Sequence, residues 1–476
     1  FTNFGTFNAG TGPISIGSTF LNNGTFNSTP NTLSVGGSFT NSSIFNHNNG
    51  TVTFNGGGAQ AIVTGGVGVN KSFNNVTISK TMGTATISTN DIEIEGNLNI
   101  STGTLAITGS LQMFVGGNWL HTGTSTFTCN TSTIIFDGTS STITSTSTGT
   151  KTMYHVVIAT DAVLGSAMDV NGNLTINSLK SLSSGTNYNM TVAGSWTNNG
   201  TFTPGTNTVT FDGATTPVAI NTGGIGVGKA FNNLTINKSA AAQIVNIGAD
   251  DLDVNGALSI TRGTLVANDR TFYVFGNYTC NATNGTFTAG TGTVILDGSG
   301  TQTITTGGTG ATKAFYNFTT NKSAGTATVS TNNIEIDNNL SILSGTLAIS
   351  GSLSANVGAN WSHTGGAFTC NTSTVTFDGV NSTITATSSG TKTFYHMVIA
   401  DNALLGSNLD INGNLTINGG STLGAGAFSM FVAGNWTNDG TFNSGSVGTV
   451  TFDGSANAQI GGTSPTSFFR MALNKG

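Results

Sequence analysis

Six aromatic residues pace this chain. The phrases GGSFTN, GGNWLH, GSWTNN, GNYTCN, GANWSH and GNWTND place Phe39, Trp119, Trp196, Tyr278, Trp361 and Trp436 at intervals of 80, 77, 82, 83 and 75 residues. Each is followed by a phrase of the TVTFDG type, at 51–56, 133–138, 208–213, 293–298, 374–379 and 449–454. A third phrase comes next: FNNVTISK, YHVVIATD, FNNLTINK, FYNFTTNK, YHMVIADN and FFRMALNK. A period of this length constrains the fold more than any single residue does, because each repeat must bury its apolar face against its neighbours.

The repeats are not equivalent. HTGTSTFTCNTSTIIFDG (121–138) returns as HTGGAFTCNTSTVTFDG (363–379), and Trp119 to Trp361 spans 242 residues, Trp196 to Trp436 240. The order is therefore A-B-C-A-B-C. The end of a partial repeat (1–35) precedes A (36–115), B (116–193), C (194–275), A′ (276–357), B′ (358–433) and a partial C′ (434–476).

Within a repeat, apolar residues alternate with Thr, Ser and Asn, the signature of strands, and no stretch sustains a helical period. LDVNGALSI (252–260) and FYVFGNYT (272–279) align with Val254 on Val274, a shift of 20. Short strands, Gly- and Asn-rich turns and this beat predict an all-β chain forming one continuous parallel β-solenoid over 1–476, with about 20 residues per turn and about two dozen turns. Inward Phe, Ile, Leu and Val would form apolar columns, Asn would form side-chain ladders, and Gly would fill turns that need positive φ. Tandem Ig-like sandwiches are the alternative, but they need linkers, and only 5 Pro occur in a chain without composition breaks.

Composition narrows the function. Only 7% of residues are charged and the net charge is −6 without a basic stripe, so nucleic acid is not an expected partner. Three cysteines, Cys129, Cys280 and Cys370, make no disulfide framework. No apolar run reaches membrane-spanning length, which argues against membrane insertion, and residues 1–30 lack a signal-peptide pattern.

The phrases GNWTNDGTFNSG, TVTFDG and FNNLTINK together resemble long repetitive secreted bacterial proteins, surface or adhesin-type chains read as parallel β-helices. The resemblance covers nearly the whole chain and implies an extracellular or cell-surface setting, with no catalytic residues to carry over. No sorting domain or globular head accompanies it here.

Candidate chemistry is sparse. The turn aspartates Asp137, Asp212, Asp297, Asp378 and Asp453 are one per repeat, with Asn55 in the first, and calcium needs six to eight oxygens. Asp250, Asp251 and Asp253, and Glu93 with Glu95 on one strand face, are denser. His121, Cys129 and His155 recur as His363, Cys370 and His396, the one repeated set with metal-ligand chemistry, but its spacing matches no compact zinc motif. Arginines are limited to Arg262, Arg270 and Arg470, and GGVGVNKS (65–72) lacks P-loop spacing. The sequence thus predicts no enzyme, no metal and no cofactor. Sequons at Asn75, Asn173, Asn233, Asn277, Asn317, Asn414 and Asn435 permit glycans without indicating them, because Asn and Thr are so common.

The leading expectation is an extracellular structural protein that self-associates head to tail into a filament or sheath. Joining MALNKG to FTNFGTF preserves the repeat phase to within one residue, as a second copy or a longer chain of the same repeats would require. The end surfaces would use Phe1, Phe4, Phe7, Phe468, Phe469, Met471 and Leu473, and neither end carries a recognisable cap. An adhesin stalk or glycan-binding surface protein is the second expectation, and a Thr-rich ice- or mineral-binding surface, from stretches such as TSTSTGT (144–150), the third.

Overall fold

The computed structural model describes residues 1–390 and 392–475. These residues contain strands, turns and bends but no helix. The chain divides into two compact units, Phe1–Asn232 and Asn233–Gly476, close to the sequence superperiod in length. In each unit the strands pair in parallel with the turn above and the turn below. The fold is a parallel β-solenoid, with about 22 turns of about 21 residues along the chain.

Register follows the sequence beat. Leu252, Asp253 and Val254 pair with Phe272, Tyr273 and Val274, the shift of 20 read from the sequence. The first turns are shorter, with Thr6 on Thr25 and Ile14 on Leu33. Others lengthen, with Thr51 on Asn75 and Trp119 on Ile143. The extra residues sit in surface loops such as 64–72, where insertion leaves the stacked strands undisturbed.

Alternation sets the core. In every TVTFDG-type strand the second and fourth residues point inward: Val52 and Phe54, Ile134 and Phe136, Val209 and Phe211, Val294 and Leu296, Val375 and Phe377, Val450 and Phe452 are all buried. The pacing aromatics are buried too, and each Trp meets an aromatic on the same turn edge-on, as Trp361 does Phe368 at 4.7 Å. A buried aromatic of this kind contributes roughly 1.5–3 kcal/mol.

One sequence expectation changes and one is refined. In repeats B and B′ the buried position of the third phrase is taken by Met153 and Phe394, which bridge to Val170 and Ile411 as Phe73 bridges to Ile94. The phrase there starts one residue earlier than its tyrosine suggests. Tyr154 and Tyr395 instead turn outward and pack edge-on against His155 and His396 at 4.6 Å. Glycine does fill positive-φ turns, as at Gly65, Gly103, Gly263 and Gly345, but the TVTFDG-type turns use it differently. Of the six TVTFDG-type glycines only Gly213 has positive φ. At Gly56, Gly138, Gly298, Gly379 and Gly454 the requirement is close approach: a Cβ would lie 1.4 to 2.0 Å from a carbonyl oxygen of the turn below.

Candidate functional site

Asparagine does two jobs in the walls. On the first turns of the first unit, Asn3 Nδ2 donates to Asn22 Oδ1 and Asn22 Nδ2 to Asn41 Oδ1, both at 2.8 Å, a buried ladder along the stack. Elsewhere an outward Asn accepts the backbone N–H of the next turn. Asn75 takes it from Asn97, Asn173 from Ser195, Asn233 from Ala257, Asn277 from Thr303, Asn317 from Asn339, Asn414 from Asn435 and Asn435 from Gln459, at 2.8–3.4 Å. All seven sequons noted in the sequence occupy this one position. An outward Asn for the ladder, an inward Leu, Val or aromatic, and an outward Thr spell Asn-x-Thr without reference to a glycan.

The recurring His and Cys residues have separate surroundings. His121 is fully buried: Nε2 lies 3.1 Å from Ser125 O, and Nδ1 3.4 Å from Ser145 Oγ, which also accepts from Trp119 Nε1 at 3.4 Å. Burial holds the imidazole below its usual pKa, aided by the Lys151 charge. The Cys129 thiol donates to Thr152 O at 3.3 Å and burial pushes it up to about 11, so it stays an inert thiol at neutral pH. His155 faces outward, its Nδ1 accepting the Asn173 N–H at 2.9 Å. The B′ set repeats this: His363 Nε2 lies 3.3 Å from Gly366 O, Cys370 donates to Thr393 O, and His396 accepts from Asn414 N. Among the described residues no three His, Cys, Asp or Glu side chains gather as metal ligands do.

One difference between the copies is instructive. Ser145 pairs with His121 in register, whereas Ala386 pairs with His363. Without that hydroxyl, Trp361 Nε1 and His363 Nδ1 are both buried without a hydrogen-bond partner. Restoring it with Ala386→Ser is expected to stabilise the second unit by about 0.5–1.5 kcal/mol, and Ser145→Ala to cost the first unit about 1–3 kcal/mol. Denaturant midpoints of the two variants check this, and a stabilising Ser145→Ala would refute it.

The remaining candidates are also built into the walls. Glu93 accepts the Gly68 N–H at 2.5 Å, and Glu95 meets Ser72 Oγ at 2.6 Å and His47 Nε2 at 3.2 Å. Asp251 accepts the Thr271 N–H at 2.9 Å, and Asp253 and Asp250 flank it on the same turn. Burial raises the carboxyls of Asp137, Asp297 and Asp378 above the usual range; Asp212 and Asp453 hold the same turn position. Arg270 Nε donates to Gly248 O at 3.1 Å, Arg262 pairs in register with Asn237, and Arg470 lies over the Phe469 ring at 5.3 Å. In the loop 65–72, Lys71 turns back to donate to Ser43 O at 2.7 Å, so it ties down the loop and presents no phosphate cradle.

The end-surface residues fall on the outermost turns. In the first unit Phe1 and Phe4 are exposed and Phe7 is half-buried. In the second, Phe468 packs on Trp436 at 5.1 Å, Met471 and Leu473 stack over Val450 and Phe452, and Phe469, Met471 and Leu473 are exposed.

Sequence reading missed several residues. Lys80 and Lys322 are buried inside the walls, where each Nζ donates to an amide oxygen, of Gln60 and Gln302 respectively. Phe431 stands outward between two buried neighbours, Met430 and Val432, and is 40% exposed. Strand parity was the available signal in each case. The chain matches no protein-family model, no curated protein and no solved structure.

Proposed function

We propose that this chain is an extracellular structural protein whose outermost turns bind further copies of itself, head to tail, to build a filament or sheath. The observation carrying this reading is a pair of aromatic columns that repeat from one turn to the next. Phe1 stacks on Phe20 and Phe20 on Phe39, at 5.5 and 4.6 Å, while Phe7 stacks on Phe26 and Phe26 on Phe45, at 5.0 and 5.8 Å. The ladder of Asn3, Asn22 and Asn41 runs beside them. A second copy would continue rings and ladder by the contacts that already hold the turns together, and would bury Phe1, Phe4, Met471 and Leu473. The low charge and the hydroxyl- and amide-rich walls support an extracellular role, since stability here rests on stacking rather than on ion pairs.

Electron microscopy and light scattering of the purified chain over a range of concentrations test the proposal. Fibres of uniform width, lost in a Phe4→Asp/Leu473→Lys variant whose circular dichroism is unchanged, are the expected result. Monomers at every concentration, or fibres indifferent to both substitutions, overturn it.

A further inference from the structure

Outside these end surfaces the second unit carries a cavity of about 630 Å³. Among its lining residues are Thr387, Lys392, Asn408, Asp410, Phe431 and Asp453. Phe431 supplies an exposed aromatic ring to this lining. Alternation sends Met430 and Val432 into the core and leaves Phe431 on the outer face of the wall, 40% exposed. Asp410 lies directly beside it in register on the preceding turn, and Thr451, two residues before Asp453, on the following one. Asp410 thus adjoins Phe431 in register, and Asp453 lines the same cavity from the following turn.

The repeats provide their own controls. At the equivalent place in the first unit, Asp169 pairs with Thr191, whose hydroxyl donates to the Asp169 carboxylate at 2.7 Å. In the A′ repeat Glu335 pairs with Asn356, whose amide donates to it at 3.0 Å. The wall satisfies its own acid in both. Beside Phe431 it does not: among the described residues none donates a hydrogen bond to the Asp410 carboxylate. Asn408 also replaces the Ala167 of the first copy.

We infer that this cavity is a binding site for the pyranose ring of an uncharged oligosaccharide. Such a ring has an apolar C–H face to lie on Phe431 and a rim of hydroxyls. Those hydroxyls donate to Asp410 and Asp453 and accept from Lys392 and the Asn408 amide. Two carboxylates against one ammonium disfavour phosphorylated or sulfated ligands. Carboxylates set on alternate turns leave no compact oxygen cage for a metal ion. The site is independent of the proposed self-assembly, because it shares no residue with the surfaces of Phe1, Phe4, Phe469, Met471 and Leu473.

Saturation-transfer NMR with cellotetraose, chitotetraose and mannotetraose tests this, followed by calorimetry with whichever binds. Transfer to the ring protons of at least one is expected. Phe431→Thr, which recreates the Thr191 arrangement, should weaken binding about tenfold or more, and Asp410→Asn should weaken it as well. Phe114→Thr, at the same strand position in the A repeat beside an acid already hydrogen-bonded by Gly68, should leave binding unchanged. Thr is native at this position in the first copy, so Phe431→Thr preserves the fold, which circular dichroism verifies. The inference is overturned by the absence of transfer from all three sugars, or by equal affinity in wild type and Phe431→Thr.

Discussion

Gly379→Ala is expected to cost more than about 3 kcal/mol, far beyond the roughly 1 kcal/mol, or gain, that an ordinary glycine-to-alanine change brings. A Cβ at Gly379 would sit 1.4 Å from the carbonyl oxygen of Gly358 and 2.2 Å from its carbonyl carbon, both backbone atoms of the turn below. Neither can rotate away as a side chain would. Relief requires the two turns to separate, and separation breaks the ladder between Ser354–Val357 and Thr374–Phe377, in which all four residues pair. Gly58 is the control, with nothing within 4 Å of its Cβ position and no positive φ. Gly58→Ala should fall within about 0.5 kcal/mol of wild type. Because solenoid stability is a sum over neighbouring turns, hydrogen exchange of the amides around Gly358 and Gly379 is the sharper readout. Protection there should drop in Gly379→Ala while amides of distant turns keep theirs. Unchanged protection would mean that the turns are not held at the separation described.

This glycine also shows where sequence reading reached and where it stopped. The period, the strand alternation and the shift of 20 between Val254 and Val274 were all legible, since a repeated turn writes the same inward residues at the same spacing. The reason for the glycine was not. Asp-Gly signals a tight turn in general, but the constraint at Gly379 comes from a backbone atom 21 residues away, Gly358, and local propensity carries no trace of it. The candidate site followed the same division. Parity along NVTISK puts Lys80 inward with Val76 and Ile78, a signal that the rarity of buried lysine obscures. Parity along MFV likewise puts Phe431 outward, but its pairing with Asp410 and the shared cavity with Asp453 depend on which turns stack. The offset of YHVVIATD arose because Tyr154 resembles the Phe of the other repeats more than the Met153 that replaces it in the core.

The inward lysines yield the second large effect. Lys322 is fully buried, and its ammonium donates to Gln302 Oε1, while Gln302 Nε2 donates to Val274 O at 2.9 Å and Gly276 O at 2.6 Å. The glutamine is thus the relay between a buried cation and the backbone of the turns below. Gln302→Leu fills the space but leaves the charge unpaired, and should cost about 3–5 kcal/mol near neutral pH. Lys322→Met leaves only an amide oxygen unsatisfied and should cost about 1–3 kcal/mol. The double variant should be more stable than Gln302→Leu alone, because a buried charge is removed along with its partner. The pH dependence has a definite sign. Burial holds the Lys322 ammonium below its ordinary pKa of 10.5, opposed by the Asp297 charge. The folded chain therefore binds fewer protons than the unfolded one as pH approaches 10.5, and stability contributed by this site rises with pH there. The deficit of Gln302→Leu should accordingly shrink between neutral pH and pH 10.5, since a neutral amine needs no acceptor, while that of Lys322→Met stays flat. Denaturant midpoints of the three variants across this range decide the matter. A Gln302→Leu cost that is negligible, or that does not fall with rising pH, would show that Lys322 is not held as a buried cation by Gln302.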